Sequence, residues 1–145
     1  MSKTLHGDRM GGATGFKLNV PLAVLASGAT NTNQELASFV AGEDMKLRAA
    51  YIAFIAAFTG AATNYPKFSI VNKGTDGTGT TEMAALEFST TGVTAGAGAP
   101  KAFTLSATAA NLLISAGEIV SIKVAQQASG EAYPIGYPSA HFSLQ

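Results

Sequence analysis

Apolar and polar residues alternate with a period of two in short runs along most of this chain, the pattern of strands with one covered face. The clearest run is 118–126, where Val120, Ile122 and Val124 alternate with Ser121, Lys123 and Ala125. Residues 67–72 set Phe68 and Ile70 against Lys67, Ser69 and Val71. Residues 80–88 set Ala84, Leu86 and Phe88 against Met83, Ala85 and Glu87. The Gly-rich stretch 73–79 between these two runs predicts a β-hairpin with a long tip. A terminal strand is predicted where Ala140, Phe142 and Leu144 alternate with Ser139, His141 and Ser143. Shorter strands fit 36–41, closed by Gly42, Glu43 and Asp44, and 102–105, where Phe103 and Leu105 share a face. Residues 133–138 form a non-helical connector, because Pro134 and Pro138 each restrict themselves and the residue before them.

Two segments do not alternate cleanly. Leu47, Tyr51, Phe54, Ile55 and Phe58 stand at helical spacing in an Ala-rich stretch, yet Ile52 and Phe54 also fit a strand buried on both faces. Periodicity leaves both open for 47–58. Residues 106–115 fit a helical turn capped by Ser106. Strands spaced every 8–12 residues or so predict an all-β fold, a jelly roll or β-sandwich of about eight strands. That domain is expected over 34–145, preceded by an extended N-terminal arm over 1–33 whose first half is broken by Gly7, Gly11, Gly12 and Gly15. The arm reads as a frayed terminus or as a tether. Phe16, Leu18, Val20 and Leu22 alternate within it and need burial, which makes them the candidate contacts with a neighbouring protomer or a larger surface.

Composition narrows the functional classes. Nine basic residues balance nine acidic ones, and only 12% of residues are charged, which excludes the phosphate-neutralising footprint of a general nucleic-acid binder. Cysteine is absent, which removes disulfides, thiolate metal sites and a Cys nucleophile together. A cysteine-free chain rich in Ala, Gly, Thr and Ser is expected to gain stability by associating with copies of itself or with a larger surface. The longest apolar run, 49–58, has ten residues, short of the roughly 18 of a spanning helix, so no membrane partner is expected. Residues 20–26 have a faint signal-peptide look, but they start late, contain Pro21 and lack a compact basic lead.

Candidate chemistry is sparse. His6 and His141 are the two histidines, one in the Gly-rich arm and one on the terminal strand, and no G-x-S-x-G elbow accompanies them. Glu43 and Asp44 read as a solvated turn rather than an acid/base pair. Residues 74–79 are Gly-rich, but Thr80 and Thr81 stand where a phosphate loop needs Lys and then Ser or Thr. No enzyme, cofactor or metal is expected. The aromatic pair Tyr133 and Tyr137 is the candidate for an alternative, ligand-binding role such as glycan recognition.

Three stretches carry a family resemblance: GEDMKLRAAYIA at 42–53, NYPKFSIVNKG at 64–74 and ISAGEIVSIKV at 114–124. In this order they resemble small jelly-roll decoration (cement) proteins and related head-fibre bases of tailed bacteriophage capsids, over residues 36–145. The resemblance implies a strand over 47–55. It also implies a homotrimer on the outer surface of the head, made in the host cytoplasm, that bridges subunits of the major capsid protein. The alternative it leaves is a head-fibre or tail-fibre module that binds a receptor or glycan.

Overall fold

The computed structural model describes residues 17–145. Its strands are β1 (Lys17–Pro21), β2 (Gln34–Val40), β3 (Met45–Phe54), β4 (Phe58–Thr59), β5 (Tyr65–Asn72) and β6 (Thr81–Glu87). They continue with β7 (Thr94–Ala95), β8 (Lys101–Ala102), β9 (Thr104–Leu105), β10 (Leu113–Ile114), β11 (Ile119–Gln127) and β12 (Gly136–Leu144). One sheet runs β1-β12-β3, with β8 and β10 both on the far edge of β3, and the other runs β2-β11-β5-β6-β9. All these ladders are antiparallel. A small ribbon, β4 with β7, closes one end.

Apart from the β5-β6 hairpin and the β4-β7 ribbon, successive strands alternate between the sheets, and the last two strands insert between the first ones and β3 or β5. That interleaving is a jelly roll. The switch between sheets is visible at Phe103, which separates β8, paired to β3, from β9, paired to β6. Phe103 is buried there, and its N–H donates to Ala50 O at 2.9 Å.

The inner faces are those the alternation marks. Val120, Ile122 and Val124 of β11 meet Phe68 and Ile70 of β5 across the ladder, and all five are fully buried. Across the sandwich Phe142 packs edge-on to Phe39, and Phe54 to Phe68, with ring centroids 5.6 and 5.3 Å apart. Each such side chain contributes about 1.5–3 kcal/mol by leaving water.

The structure settles the open segment and moves two boundaries. Residues 45–54 are strand, not helix, because Leu47, Ala50, Ile52 and Phe54 supply an inner face against β12 and β5. The turn at 109–112 is a single 3₁₀ turn, and Ser106 does not cap it; the Ser106 hydroxyl accepts instead from the Thr108 N–H and Asn111 Nδ2. The arm does not extend to residue 33. Residues 17–21 form an edge strand paired to β12, and Leu22 and Leu25 are core residues. Their partner strand lies more than a hundred residues away along the chain.

Candidate functional site

The two sheets present very different outer faces, and the difference is built strand by strand. On the β2-β11-β5-β6 sheet the outward positions are Glu35, Ser121, Lys123, Lys67, Ser69, Val71 and Glu82. The long charged side chains fold over the short ones. Lys73 Nζ lies 2.9 Å from Glu35 Oε1, and Lys67 Nζ lies 3.1 Å from Glu82 and 3.5 Å from Glu87. Beneath them the Ser69 hydroxyl donates to Glu82 at 2.7 Å and the Ser121 hydroxyl to Glu35 at 3.1 Å. Ser121 is thereby only 1% exposed although it faces outward. The result is a canopy of paired charges over a shallow groove of about 260 Å³.

The pairing sets the electrostatics of the canopy. Burial alone pushes the Glu35 carboxyl up, but hydrogen bonds from Lys73 and Ser121 and the charges of Lys73 and Lys123 outweigh it and hold it below the usual value. Burial likewise pulls the Lys67 ammonium down, and Glu82 and Glu87 outweigh it and hold it up. Groups already satisfied by one another have little left to offer a ligand.

The β1-β12-β3-β8 sheet has no canopy. Its outward cross-strand rows are Asn19, His141 and Ala49; then Pro21, Ser139, Tyr51 and Ala102; then Tyr137 and Ala53. No charged side chain stands in these three rows. Tyr51 is 37% exposed and Tyr137 53%, and the Tyr51 and His141 rings meet edge-on at 5.6 Å. Leu22 N–H donates to Pro138 O and Leu25 N–H to Gly136 O, which brackets Tyr137 and puts exposed Val24 beside it. Exposed Ile55 extends the patch past the end of β3. Among the described residues, charge appears on this face at its far end, with Lys17, Lys46 and Arg48; the Arg48 guanidinium donates to Ser143 Oγ at 2.7 Å.

The candidates from the sequence fall out differently from one another. Phe16 and His6 lie outside the described residues. Leu18, Val20 and Leu22 stand on the inner side of β1 and its continuation, opposite Phe142, Ala140 and Pro138. Leu22 is 5% exposed and Val20 packs on the core, so their alternation is explained by their own sandwich; Leu18 stays 39% exposed at its rim. Tyr133 and Tyr137 do not form an aromatic platform. Tyr133 is 3% exposed against Phe68, its hydroxyl accepting from Gln34 Nε2 at 2.8 Å, and only Tyr137 reaches solvent. Gly28 sits so close to the Tyr133 ring that any Cβ would overlap it. Asp44 ties two loops together by accepting from the Ala116 N–H at 2.8 Å. The 73–79 tip is fastened by Asp76, which accepts from the Thr78 N–H and hydroxyl, and those bonds hold its carboxyl low. Sequence reasoning misses Tyr51, Ser139 and the canopy; the canopy's only signal is Lys or Glu at outward positions of neighbouring strands.

Among the described residues no group of three or more His, Asp or Glu side chains could hold a metal ion, and no helix is long and apolar enough to cross a membrane. No protein-family model and no curated protein matches the chain. Among solved structures, a chain from "Structure of infectious bursal disease virus Gx strain" is similar at 12% identity and a TM-score of 0.37, over 88% of this chain and 32% of that one. This chain thus spans about a third of that neighbour. At that score the likeness decides neither topology nor role, and the jelly roll rests on the ladders themselves.

Proposed function

We propose that this chain is a structural decoration (cement) protein of a tailed-bacteriophage head, which binds the outer surface of the assembled capsid as an oligomer and bridges subunits of the major capsid protein. One observation carries the reading: a small jelly roll with one outer face closed by paired charges and the other open, with Tyr51 and Tyr137 exposed in rows that hold no charged side chain. Such a surface suits burial against another protein, as assembly into an oligomer requires, and the role needs no catalytic group, cofactor or metal. The order of the three resembling segments supplies the capsid, and the resemblance supplies the trimer.

The mechanism is mass action. A protein that binds the assembled lattice and not the free subunits stabilises the lattice by its binding free energy, about 2.7 kcal/mol per site at a free concentration 100 times Kd. Repetition over many equivalent sites makes a modest gain per site large for the shell.

The test is co-sedimentation of the purified chain with expanded heads of the phage that encodes it, followed by heating. Decorated heads are expected to bind the chain to a fixed stoichiometry and to rupture at a higher temperature than bare heads. Heads that neither bind the chain nor change their rupture temperature overturn the reading.

A further inference from the structure

We propose that the bare outer face of the β1-β12-β3-β8 sheet is where this chain meets a second copy of itself, with Tyr51, Tyr137, Ser139 and His141 at the centre of the contact. The inference rests on the oligomeric reading above and assigns its surface.

Three observations select this occupant. The first is chemical. The polar groups of the central rows are hydroxyls, an amide and an imidazole, each able to donate and to accept, and no carboxylate or ammonium stands in those rows. A surface of that kind can pair with its own copy without stranding a charge, and assemblies of one chain require such tolerance of self. The second is size. The uncharged rows run from His141 to Tyr137, about 17 Å along β12 at roughly 3.4 Å per residue and about 19 Å across the four strands. Exposed Val24 and Ile55 enlarge that patch, and one copy can cover it with Lys17, Lys46 and Arg48 left outside the contact. The third is the contrast with the other sheet. Seating a copy on the canopy would strip water from Lys67, Lys73, Glu35 and Glu82, whose attraction is already spent within the chain. The bare face has no such cost, and Tyr is the residue type that anchors interface centres.

The experiment is size-exclusion chromatography with light scattering on the wild type, Tyr137→Arg, Tyr137→Phe and, on the canopied face, Lys123→Ser. The wild type is expected at a multiple of the 14.7 kDa chain. Tyr137→Arg is expected to weaken association by at least about 30-fold, the effect of losing one interface anchor, while Tyr137→Phe and Lys123→Ser keep the wild-type mass. Because the chain has no cysteine, Ser139→Cys places a single thiol at the centre of the face. A short bis-maleimide should then join two copies, which reads the contact even if the arginine variant fails to fold. A monomeric wild type up to several hundred micromolar overturns the proposal. So does an oligomer that survives in folded Tyr137→Arg, or one that yields no cross-link through Ser139→Cys. A wild type that ignores phage heads but loses its oligomer in Tyr137→Arg sinks the decoration reading and upholds the face.

Discussion

The two outer faces of this jelly roll belong to sheets of similar width with equally well-buried inner sides, yet one is roofed and the other is open. The β2-β11-β5-β6 sheet shields its outward Ser69, Ser121 and Val71 with Lys and Glu from neighbouring strands. The β1-β12-β3 sheet leaves Tyr51, Tyr137 and Val24 in water with no charge in their rows. A lysine or glutamate could stand at any of those outward positions without disturbing the core. Among the described residues none stands there, and that difference between the sheets is what the proposed contact uses.

The largest expected effect separates two tyrosines four residues apart. Tyr133→Ala removes a buried ring that packs on Phe68 and one of the two acceptors of Gln34 Nε2, and should cost about 3–5 kcal/mol in urea denaturation. Tyr137→Ala, measured at a concentration below that of association, should change stability by about 0.5 kcal/mol or less. A cost for Tyr137→Ala near that of Tyr133→Ala would mean the ring is held by its own chain, and the face would no longer count as bare.

A middle-sized effect compares the roof with the open side directly. Glu35→Ala takes the acceptor from the buried Ser121 hydroxyl and the partner from Lys73, and should destabilise by about 1–3 kcal/mol. Ser139→Ala, on the open face, should stay within about 0.5 kcal/mol of wild type. Equal costs in the same denaturation series would erase the distinction between the faces.

Most of the fold is legible in the sequence, because period two survives wherever a strand has one apolar and one polar side, as in β5, β11 and β12. It fails at β3 for an informative reason. Ala49, Tyr51 and Ala53 are outward yet uncharged, so the strand loses its polar phase and resembles an Ala-rich helix. The residues that obscure the strand are those that make the open face. Leu18, Val20 and Leu22 are legible as apolar positions, but their cover comes from β12 at the other end of the chain, and no local pattern shows that pairing. The roof is hidden for the same reason: Ser121 is sealed by Glu35, a neighbour only in register.

The smallest expected effect is the pH dependence that the roof confers and the open face does not. The Glu35 carboxyl is held below its usual 4.5, so its pairing stabilises the fold above that value and is lost as the pH falls through the lowered one. The Lys67 ammonium is held above its usual 10.5, so its pairing is fully present below that value and is lost as the pH rises through the raised one. Between roughly pH 5 and 10 both contributions are constant. Each stays at or below about 1 kcal/mol, because the side chains keep a quarter to a third of their surface in water. The urea midpoint should therefore be flat across neutral pH and fall in acid. Glu35→Gln should keep the neutral plateau nearly in place, since its amide oxygen can still accept from Ser121, while its acid decline becomes shallower than that of the wild type. An acid decline as steep in Glu35→Gln as in the wild type would assign the acid sensitivity elsewhere and leave the roof as cover without a titrating role.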